Sequence, residues 1–230
     1  MRKAERSASG QRAWNSDEMA MQLLLLDVWG LLASIAVAGA LYYFGGIYAA
    51  EYLALMLIFL FAGTIVTTMG KEKKEEMGIY EYGRSWQNVL ANGFIPVAAA
   101  ATGMAPAYFG AIASITADKF SSELGALGGT PIFLGTMKPV KKGTSGAITL
   151  MGSVAGLIGA EIIAISVYFL FPDVRLVYAL ALPFVGLFGS FVDSIAGIFE
   201  TYGYGNKATS NIAGAIGGAV LGEILFLLLR

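Results

Sequence analysis

Residues 176–199 read LVYALALPFVGLFGSFVDSIAGIF, 24 residues with a single charged side chain, that of Asp193. A helix that spans a bilayer needs about 20 mostly apolar residues, so this segment predicts a transmembrane helix. In the 230-residue chain, 57% of the residues are hydrophobic, 13% are charged and 30 are glycines. A soluble domain of this size could not bury so much apolar surface. Lipid must therefore solvate much of the chain.

Six more segments carry a similar pattern, at residues 21–45, 52–69, 86–102, 106–127, 147–171 and 208–229. The sequence thus predicts an all-α, polytopic membrane protein with about seven helices in a compact, glycine-rich bundle. We expect a polar cytoplasmic tail over residues 1–20 and a single transmembrane domain over 21–230. Small residues four apart, as at Gly214, Gly218 and Gly222, let helices approach closely. Such glycine-rich faces could also join two copies of the chain.

The basic residues favour one orientation. Seven spans divide the connections into two sets, and thirteen of the 15 Lys and Arg residues fall in the set that includes the N-terminal tail. Positively charged connections stay in the cytoplasm, so we expect a multi-pass protein of the cell or plasma membrane with a cytoplasmic N terminus. An alternative for the start of the chain is a cleaved signal peptide that ends near Ala36-Val37-Ala38.

The composition also excludes several functions. The chain has no Cys and no His, which excludes thiolate chemistry, His-ligated metals and His general bases. A net charge of −1 gives no reason to expect a nucleic-acid partner. Neither the phosphate-loop pattern GxxxxGK[ST] nor the dinucleotide pattern GxGxxG occurs.

Ionisable residues at membrane depth are costly and point to function. If the helix over 176–199 continues through residue 200, Asp193 and Glu200 lie one heptad apart on a face that otherwise holds Gly186, Ser190 and Gly197. This face should carry the two carboxylates into the bundle. Glu200 could instead be an ordinary residue of the membrane interface.

Two further acids lie on the helix over 106–127. Asp118 shares a face with Ser121 and Ser122, whereas Glu123 points elsewhere and could simply pair with Lys119 four residues earlier. Two more polar pairs have the same spacing of four residues, and buried amides of this kind can also hold helices together. They are Asn88 with Asn92 and Lys207 with Asn211.

A lysine loop, defined by Lys138, Lys141 and Lys142, precedes the segment Gly143-Thr144-Ser145. We expect this segment to open the next helix, where backbone N–H groups and the helix dipole attract anions. The composition suggests a phosphate cradle, and the alternative is a set of topological anchors followed by a helix cap. By the charge-derived topology, all the polar residues singled out here lie at cytoplasmic helix ends.

These motifs, in this order, resemble an integral-membrane family of unknown function that includes transmembrane protein 19 and the plant phytyl-phosphate kinases. The resemblance covers residues 85–230, and the motifs are Asn88-Val-Leu-Ala-Asn-Gly93, Asp118-x4-Glu123-Leu-Gly125, Lys142-Gly-Thr-Ser-Gly146, Gly189-Ser-x2-Asp193-Ser194 and Lys207-x3-Asn211. The family usually has Asp-Thr-Trp where this chain reads Asp118-Lys119-Phe120.

The resemblance implies a membrane-embedded, Mg²⁺-dependent kinase that transfers a phosphoryl group from a nucleoside triphosphate, CTP in the plant members, to an isoprenyl or polyprenyl monophosphate at the cytoplasmic face. Asp118, Glu123 and Asp193 would be catalytic and would hold Mg²⁺ together with Glu200. The nucleotide and the lipid phosphate would be bound by Asn88, Asn92, Lys138, Lys141, Lys142, Gly143, Thr144, Ser145, Lys207 and Asn211.

Other functions stay open at this point. An isoprenol kinase would need one carboxylate as a base, and a cytidylyltransferase that makes a CDP-lipid would release pyrophosphate. A transporter or flippase for an anionic isoprenoid lipid would need polar residues that continue to the outer side, for which Asp27 and Glu161 are the only hints. A non-catalytic scaffold would leave Asp193 unexplained.

Overall fold

The computed structural model describes residues 25–229, and helices dominate this part of the chain. The helices are α1 (Val28–Phe44), α2 (Ala49–Thr68), α3 (Lys71–Glu76), α4 (Trp86–Ala101), α5 (Ala105–Gly125), α6 (Leu150–Leu170), α7 (Leu176–Thr201) and α8 (Lys207–Leu229). Except for the short α3, they match the seven predicted segments in order and approximate bounds. The predicted tail over 1–20 lies outside the described residues.

The polytopic membrane fold is confirmed by the apolar helices. In the described residues, four are long and apolar enough to cross a bilayer, namely Gly46–Thr68, which joins a 3₁₀ turn to α2, together with α6, α7 and α8. Helix α1 is shorter but apolar. Helix α5 lies in the interior and packs against α2, α4, α6, α7 and α8. Because protein rather than lipid surrounds it, α5 can carry more polar residues than an outer span.

The glycine-rich faces pack inside the chain, as the small-residue spacing predicts. A Cβ atom added to Gly222 of α8 would lie 2.7 Å from the carbonyl oxygen of Pro106 and 3.0 Å from the Cα of Gly110, both on α5. One added to Gly186 of α7 would lie 2.9 Å from the carbonyl oxygen of Ala113. These faces are therefore covered by neighbouring helices and would not be available to a second copy of the chain.

The charged connections collect at one end of the bundle. This basic end holds the segments 69–85, 126–149 and 202–206, and the opposite end holds 45–48, 102–104 and 171–175. Nine of the basic residues lie at the basic end or in the adjoining helix turns: Lys71, Lys73, Lys74, Arg84, Lys119, Lys138, Lys141, Lys142 and Lys207. Which side of the membrane each end faces stays a prediction from this asymmetry.

Aromatic rings fill the core towards the opposite end. The Tyr108 hydroxyl donates to the carbonyl oxygen of Tyr52 at 2.7 Å, and the Tyr178 hydroxyl donates to that of Pro106 at 3.2 Å. The rings of Tyr52 and Tyr108 lie 4.3 Å apart, and Phe171 packs beside Phe109 at 4.5 Å. This part of the bundle core is therefore mainly aromatic, although it also contains buried carboxylate oxygens of Glu51 and Glu223.

The connection between α5 and α6 contains a small sheet that the sequence pattern does not predict. Its strands are β1 (Ile132–Phe133), β2 (Lys138–Pro139) and β3 (Ala147–Ile148), in the antiparallel order β2-β1-β3. Strands of two residues are too short to show an alternating pattern. The sheet folds the loop back over the basic end, next to α7.

Candidate functional site

A cavity of about 880 Å³ opens at the basic end of the bundle. Side chains from α4, α5, α7 and α8 and from the loop before α6 line it. It brings together most of the residues singled out from the sequence: Asn88, Asn92, Asp118, Glu123, Gly143, Thr144, Ser145, Asp193, Glu200, Lys207 and Asn211. Residues far apart in the chain thus share one site.

Asp118, Asp193 and Glu200 form what we call the carboxylate group of the cavity. The ammonium of Lys207 donates to Asp193 Oδ1 at 2.8 Å and lies 3.5 Å from Asp118 Oδ2. The Ser145 hydroxyl donates to Glu200 Oε2 at 2.8 Å. Asp118 and Asp193 therefore share one ammonium, Glu200 has no ion-pair partner among residues 25–229, and this part of the cavity carries a net negative charge.

Small residues place Asp193 deep between two helices. Its side chain is only 6% exposed. A Cβ atom added to Gly214 of α8 would lie 2.9 Å from the Asp193 Cβ and 2.8 Å from the carbonyl oxygen of Gly189. The glycines let α7 and α8 approach closely, which buries the carboxylate that α7 carries.

Several buried oxygens of this region lack a hydrogen-bond partner among residues 25–229. They are Asp193 Oδ2, Glu200 Oε1 and Asn211 Oδ1. Buried polar atoms are nearly always paired in folded proteins, so each of these oxygens is a candidate acceptor for a ligand group or a metal ion. Within the described residues, no three acidic side chains are close enough together to hold a metal without other ligands.

Glu123 has a structural environment and does not fit the predicted role of metal ligand. Lys119 and Thr67 donate to its Oε1, and Lys74 donates to its Oε2 at 2.6 Å. Lys74 is fully buried and also donates to the carbonyl oxygens of Val66 at 3.2 Å and Thr67 at 2.9 Å, in the last turn of α2. Glu123 therefore links α2 and α3 to α5. Its ion pair with Lys119, which the sequence analysis gave as the alternative to metal binding, is present in the structure.

Four charged residues that the sequence analysis did not assign to the site line the same cavity: Lys74, Glu81, Arg84 and Lys119. Lys119 donates to Glu81 Oε2 at 2.8 Å, in addition to its bond with Glu123. Burial lowers the pKa of the Arg84 guanidinium, and the negative charges of Glu81 and Glu123 act in the opposite direction. The cavity thus has a cationic side in addition to the carboxylate group.

The prediction that Thr144 and Ser145 open a helix is wrong. Helix α6 begins at Leu150, and Thr149 caps it by accepting a hydrogen bond from the backbone N–H of Gly152 at 2.9 Å. Thr144 and Ser145 precede β3, so they do not lie at the start of a helix, and Ser145 contacts Glu200 and Thr201 at the C-terminal end of α7. The lysine loop does not line the cavity, since Lys138, Lys141 and Lys142 are absent from its wall.

One wall of the cavity is aromatic and belongs to a membrane-spanning helix. Phe184, Phe188 and Phe191 of α7 line the cavity and are 64%, 45% and 43% exposed. In a bilayer, exposed side chains at this depth meet lipid. The polar cavity is therefore continuous with a surface where an acyl or prenyl chain can lie.

The fold and the site together define a class: an integral membrane protein with a charged cavity at one end of its helical bundle and an apolar wall towards the lipid. The chain belongs to the family described as integral membrane protein DUF92, which matches residues 18–227. The family membership expected from the motifs is confirmed.

Relatives occur in distant organisms. An uncharacterized membrane protein of Methanocaldococcus jannaschii is 37% identical over 209 residues, which are 87% of this chain and 86% of that protein. Protein PGR of Arabidopsis thaliana is 32% identical over 182 residues, which are 64% of this chain and 63% of that protein. An uncharacterized membrane protein of Synechocystis is 27% identical over 128 residues, 50% of each chain. No solved structure matches the chain.

Proposed function

We propose that this chain is a phosphotransferase that moves the terminal phosphoryl group of a nucleoside triphosphate, CTP by the family resemblance, to an isoprenyl monophosphate. The observation that carries the proposal is a single cavity that combines the carboxylate group, a cationic side and an aromatic wall on a membrane helix. By the charge asymmetry of the connections, this cavity would face the cytoplasm, where nucleotides are available.

The reaction needs little from the protein beyond positioning and charge. An oxygen of the acceptor monophosphate would attack the terminal phosphorus of the nucleotide and form a new P–O bond. The bond from that phosphorus to the bridging oxygen would break, and the nucleoside diphosphate would leave. The second pKa of a phosphate monoester is about 6, so the acceptor is already ionised at pH 7. A chain without His can therefore support this step.

Mg²⁺ fits the carboxylate group. This ion commonly binds through one or two carboxylates, with substrate phosphates and water completing its shell, so a cluster of three acids is not required. Asp118 and Asp193 would hold it, and the free Asp193 Oδ2 supports this assignment, whereas Glu200 does not form a group of three acids with them that could hold the same ion. When bound, the ion would neutralise charge on the phosphates. Glu123 is left out because three side chains already bind its carboxylate.

The remaining polar residues of the cavity would position the substrates. Asn88, Asn92 and Asn211 all line it and can donate amide hydrogens to phosphate or base. The exposed phenylalanines of α7 would receive the apolar chain of the acceptor, which keeps the lipid in the membrane while its phosphate reaches the cavity.

A transporter of an anionic lipid has less support. It would need polar groups that continue through the bundle, yet Asp27 caps the start of α1 by accepting from the Gly30 N–H, and Glu161 lies on the exposed side of α6. Neither residue lines the cavity. The core beyond the cavity is mainly aromatic, with Tyr108 and Tyr178 fully buried, and Glu51 and Glu223 of that half do not line the cavity.

The decisive experiment is a transfer assay with purified protein in lipid nanodiscs. CTP and ATP, each labelled either at the α or at the terminal phosphate, would be offered with a C20 prenol or a C20 prenyl monophosphate. Transfer of the terminal label to the monophosphate would support the proposal. Transfer to the alcohol would identify an isoprenol kinase, and transfer of the α label would identify a cytidylyltransferase. No transfer to either acceptor would contradict all three enzymes.

The matched variants are Asp193→Asn and, as a control, Asp173→Asn. Asp173 is an exposed acid at the opposite end of the bundle, near Tyr48. Loss of the Asp193 charge should lower turnover about a hundredfold or more, as removal of one preorganised charged group usually does. Folding should survive because Lys207 keeps Asp118 as a partner. Full activity in Asp193→Asn would remove this carboxylate from the mechanism.

A further inference from the structure

Arg84 lies at a fixed position in the wall of the cavity, just before α4. Its backbone N–H donates to the carbonyl oxygen of Leu25, and its own carbonyl oxygen accepts from the Asp27 N–H at 3.4 Å. Leu26 forms an isolated parallel bridge with it. The start of α1 thus holds Arg84 in place, and only 7% of the residue is exposed.

The guanidinium group of Arg84 has no carboxylate partner. No acidic oxygen of residues 25–229 lies within ion-pair distance, and its Nε and Nη2 atoms have no hydrogen-bond partner in that part of the chain. It lies over the ring of Phe59, 5.9 Å from the centroid. Gly63 leaves room for it, since a Cβ atom there would lie 2.9 Å from Nη2. A buried charge without a counter-charge destabilises a fold, so a ligand is the expected reason for keeping it.

The neighbouring charges support an anionic ligand. On this side of the cavity, Lys74 and Lys119 are paired with Glu123 and Glu81. Three cations thus face two carboxylates, and the positive charge that is left over is that of Arg84. An arginine is always protonated at neutral pH and presents a planar set of donors that matches a phosphate group.

We infer that Arg84 anchors a phosphate monoester in the cationic side of the cavity, across from the carboxylate group. This assignment rests on the proposed function in one respect, which is that the anchored phosphate is that of the lipid acceptor. The nucleotide, with its metal, would then occupy the carboxylate side. The two sides of the cavity differ in sign and would each select one of the two substrates.

The test is a binding measurement without turnover. Protein in nanodiscs would be titrated with C20 prenyl monophosphate, and separately with CTP and Mg²⁺, for the wild type and for Arg84→Gln and Arg84→Lys. Arg175→Gln is the control, because Arg175 is an exposed arginine at the opposite end. Arg84→Gln should weaken monophosphate binding about tenfold or more, which is the usual effect of losing a charged hydrogen-bond partner. Arg84→Lys should recover part of the affinity, and CTP binding should not change.

Stability separates this role from a structural one. Because the wild-type charge is unpaired, Arg84→Gln should melt at the same temperature as the wild type or at a higher one. Unchanged monophosphate affinity in folded Arg84→Gln would overturn the inference. A loss of CTP affinity instead would overturn the assignment to the acceptor. If Arg84→Gln does not fold, equal monophosphate affinity in Arg84→Lys and the wild type would also overturn it.

The outcomes are distinguishable from failure of the proposed function. Arg84-dependent binding of the monophosphate without any phosphoryl transfer by the wild type would support the anchor and contradict the kinase. Phosphoryl transfer by Arg84→Gln with an unchanged KM for the monophosphate would support the kinase and contradict the anchor.

Discussion

Glu123→Gln separates a structural role of Glu123 from the metal-binding role that the sequence motif suggests. The substitution keeps the size of the side chain but removes the charge that faces Lys74 and Lys119. Lys74 is 1% exposed and its ammonium lies 2.6 Å from the Glu123 carboxylate. Breaking a buried ion pair from one side destabilises a protein by about 3–5 kcal/mol. Since a glutamine oxygen can still accept one hydrogen bond, we expect the lower end, about 3 kcal/mol.

This loss should be visible as a lower melting temperature in detergent. By the scaling for chains of this length, about 3 kcal/mol corresponds to a shift of roughly 6–12 °C. Lys74→Met should cost less, about 2 kcal/mol, because Glu123 keeps Lys119 and Thr67 as partners. The double variant should lose less than the sum of the two single variants, because both act on the same pair.

The matched control is Glu75→Gln in the solvent-accessible pair of Lys71 and Glu75, whose side chains are 52% and 33% exposed and whose charged atoms are 3.7 Å apart. An exposed pair of this kind contributes about 0.5 kcal/mol or less. Where it is still folded, Glu123→Gln should keep most of its transfer activity. A variant that melts like the wild type but loses transfer would show that Glu123 is a metal ligand, and the reasoning here would be refuted.

Three further predictions concern packing, the lysine loop and orientation. Gly222→Ala should destabilise the bundle by about 1–3 kcal/mol because its Cβ meets the backbone of Pro106, whereas Gly39→Ala, with open space around it, should not lower the melting temperature. Lys→Gln at each position of the lysine loop should leave turnover near the wild-type value. A large loss of turnover at any of them would support the predicted phosphate-binding role of the loop. A single Cys at Glu76 should react only with reagents on the cytoplasmic side and one at Ile47 only with reagents outside, and the reverse pattern would invert the orientation.

The spanning helices could be predicted from the sequence because each of them must meet the same physical requirement, which is an apolar segment long enough to cross the bilayer. A run of about 20 apolar residues has few alternatives in a bilayer, and the small residues on α7 and α8 mark the faces that pack. The same logic located Asp193, since a lone carboxylate in an apolar run is conspicuous. The interior position of α5 was less evident, because its residues are more polar than those of the outer spans.

The contacts of the charged connections could not be predicted in the same way. Lys74 belongs to the run Lys71-Glu-Lys-Lys-Glu-Glu76, where nothing in the sequence distinguishes the buried lysine from its exposed neighbours. Its partner Glu123 is 49 residues away. Arg84 likewise gains its environment from Leu25 and Phe59, on two other elements.

The error at the lysine loop has a local cause. Ser, Thr and Gly residues recur from Gly143 to Thr149, and several of them could cap a helix. The structure uses the last candidate, Thr149, because Ala147 and Ile148 pair with β1 first. A choice between neighbouring caps depends on tertiary pairing, which a local pattern does not contain.

Lys207 explains how the carboxylate group can exist at the edge of the membrane. Two carboxylates as close as those of Asp118 and Asp193 repel each other, and an ammonium in contact with both offsets part of that repulsion. Lys207 contacts Asp193 Oδ1 and Asp118 Oδ2, whereas the second oxygen of Asp193, Oδ2, has no partner among the described residues and is available to Mg²⁺. The Lys207 side chain is 46% exposed and that of Asp193 only 6%, so Lys207 is the more accessible of the two partners. Under the proposed function, the ammonium of Lys207 would neutralise the carboxylates before the substrates bind and the phosphates of the nucleotide after they bind.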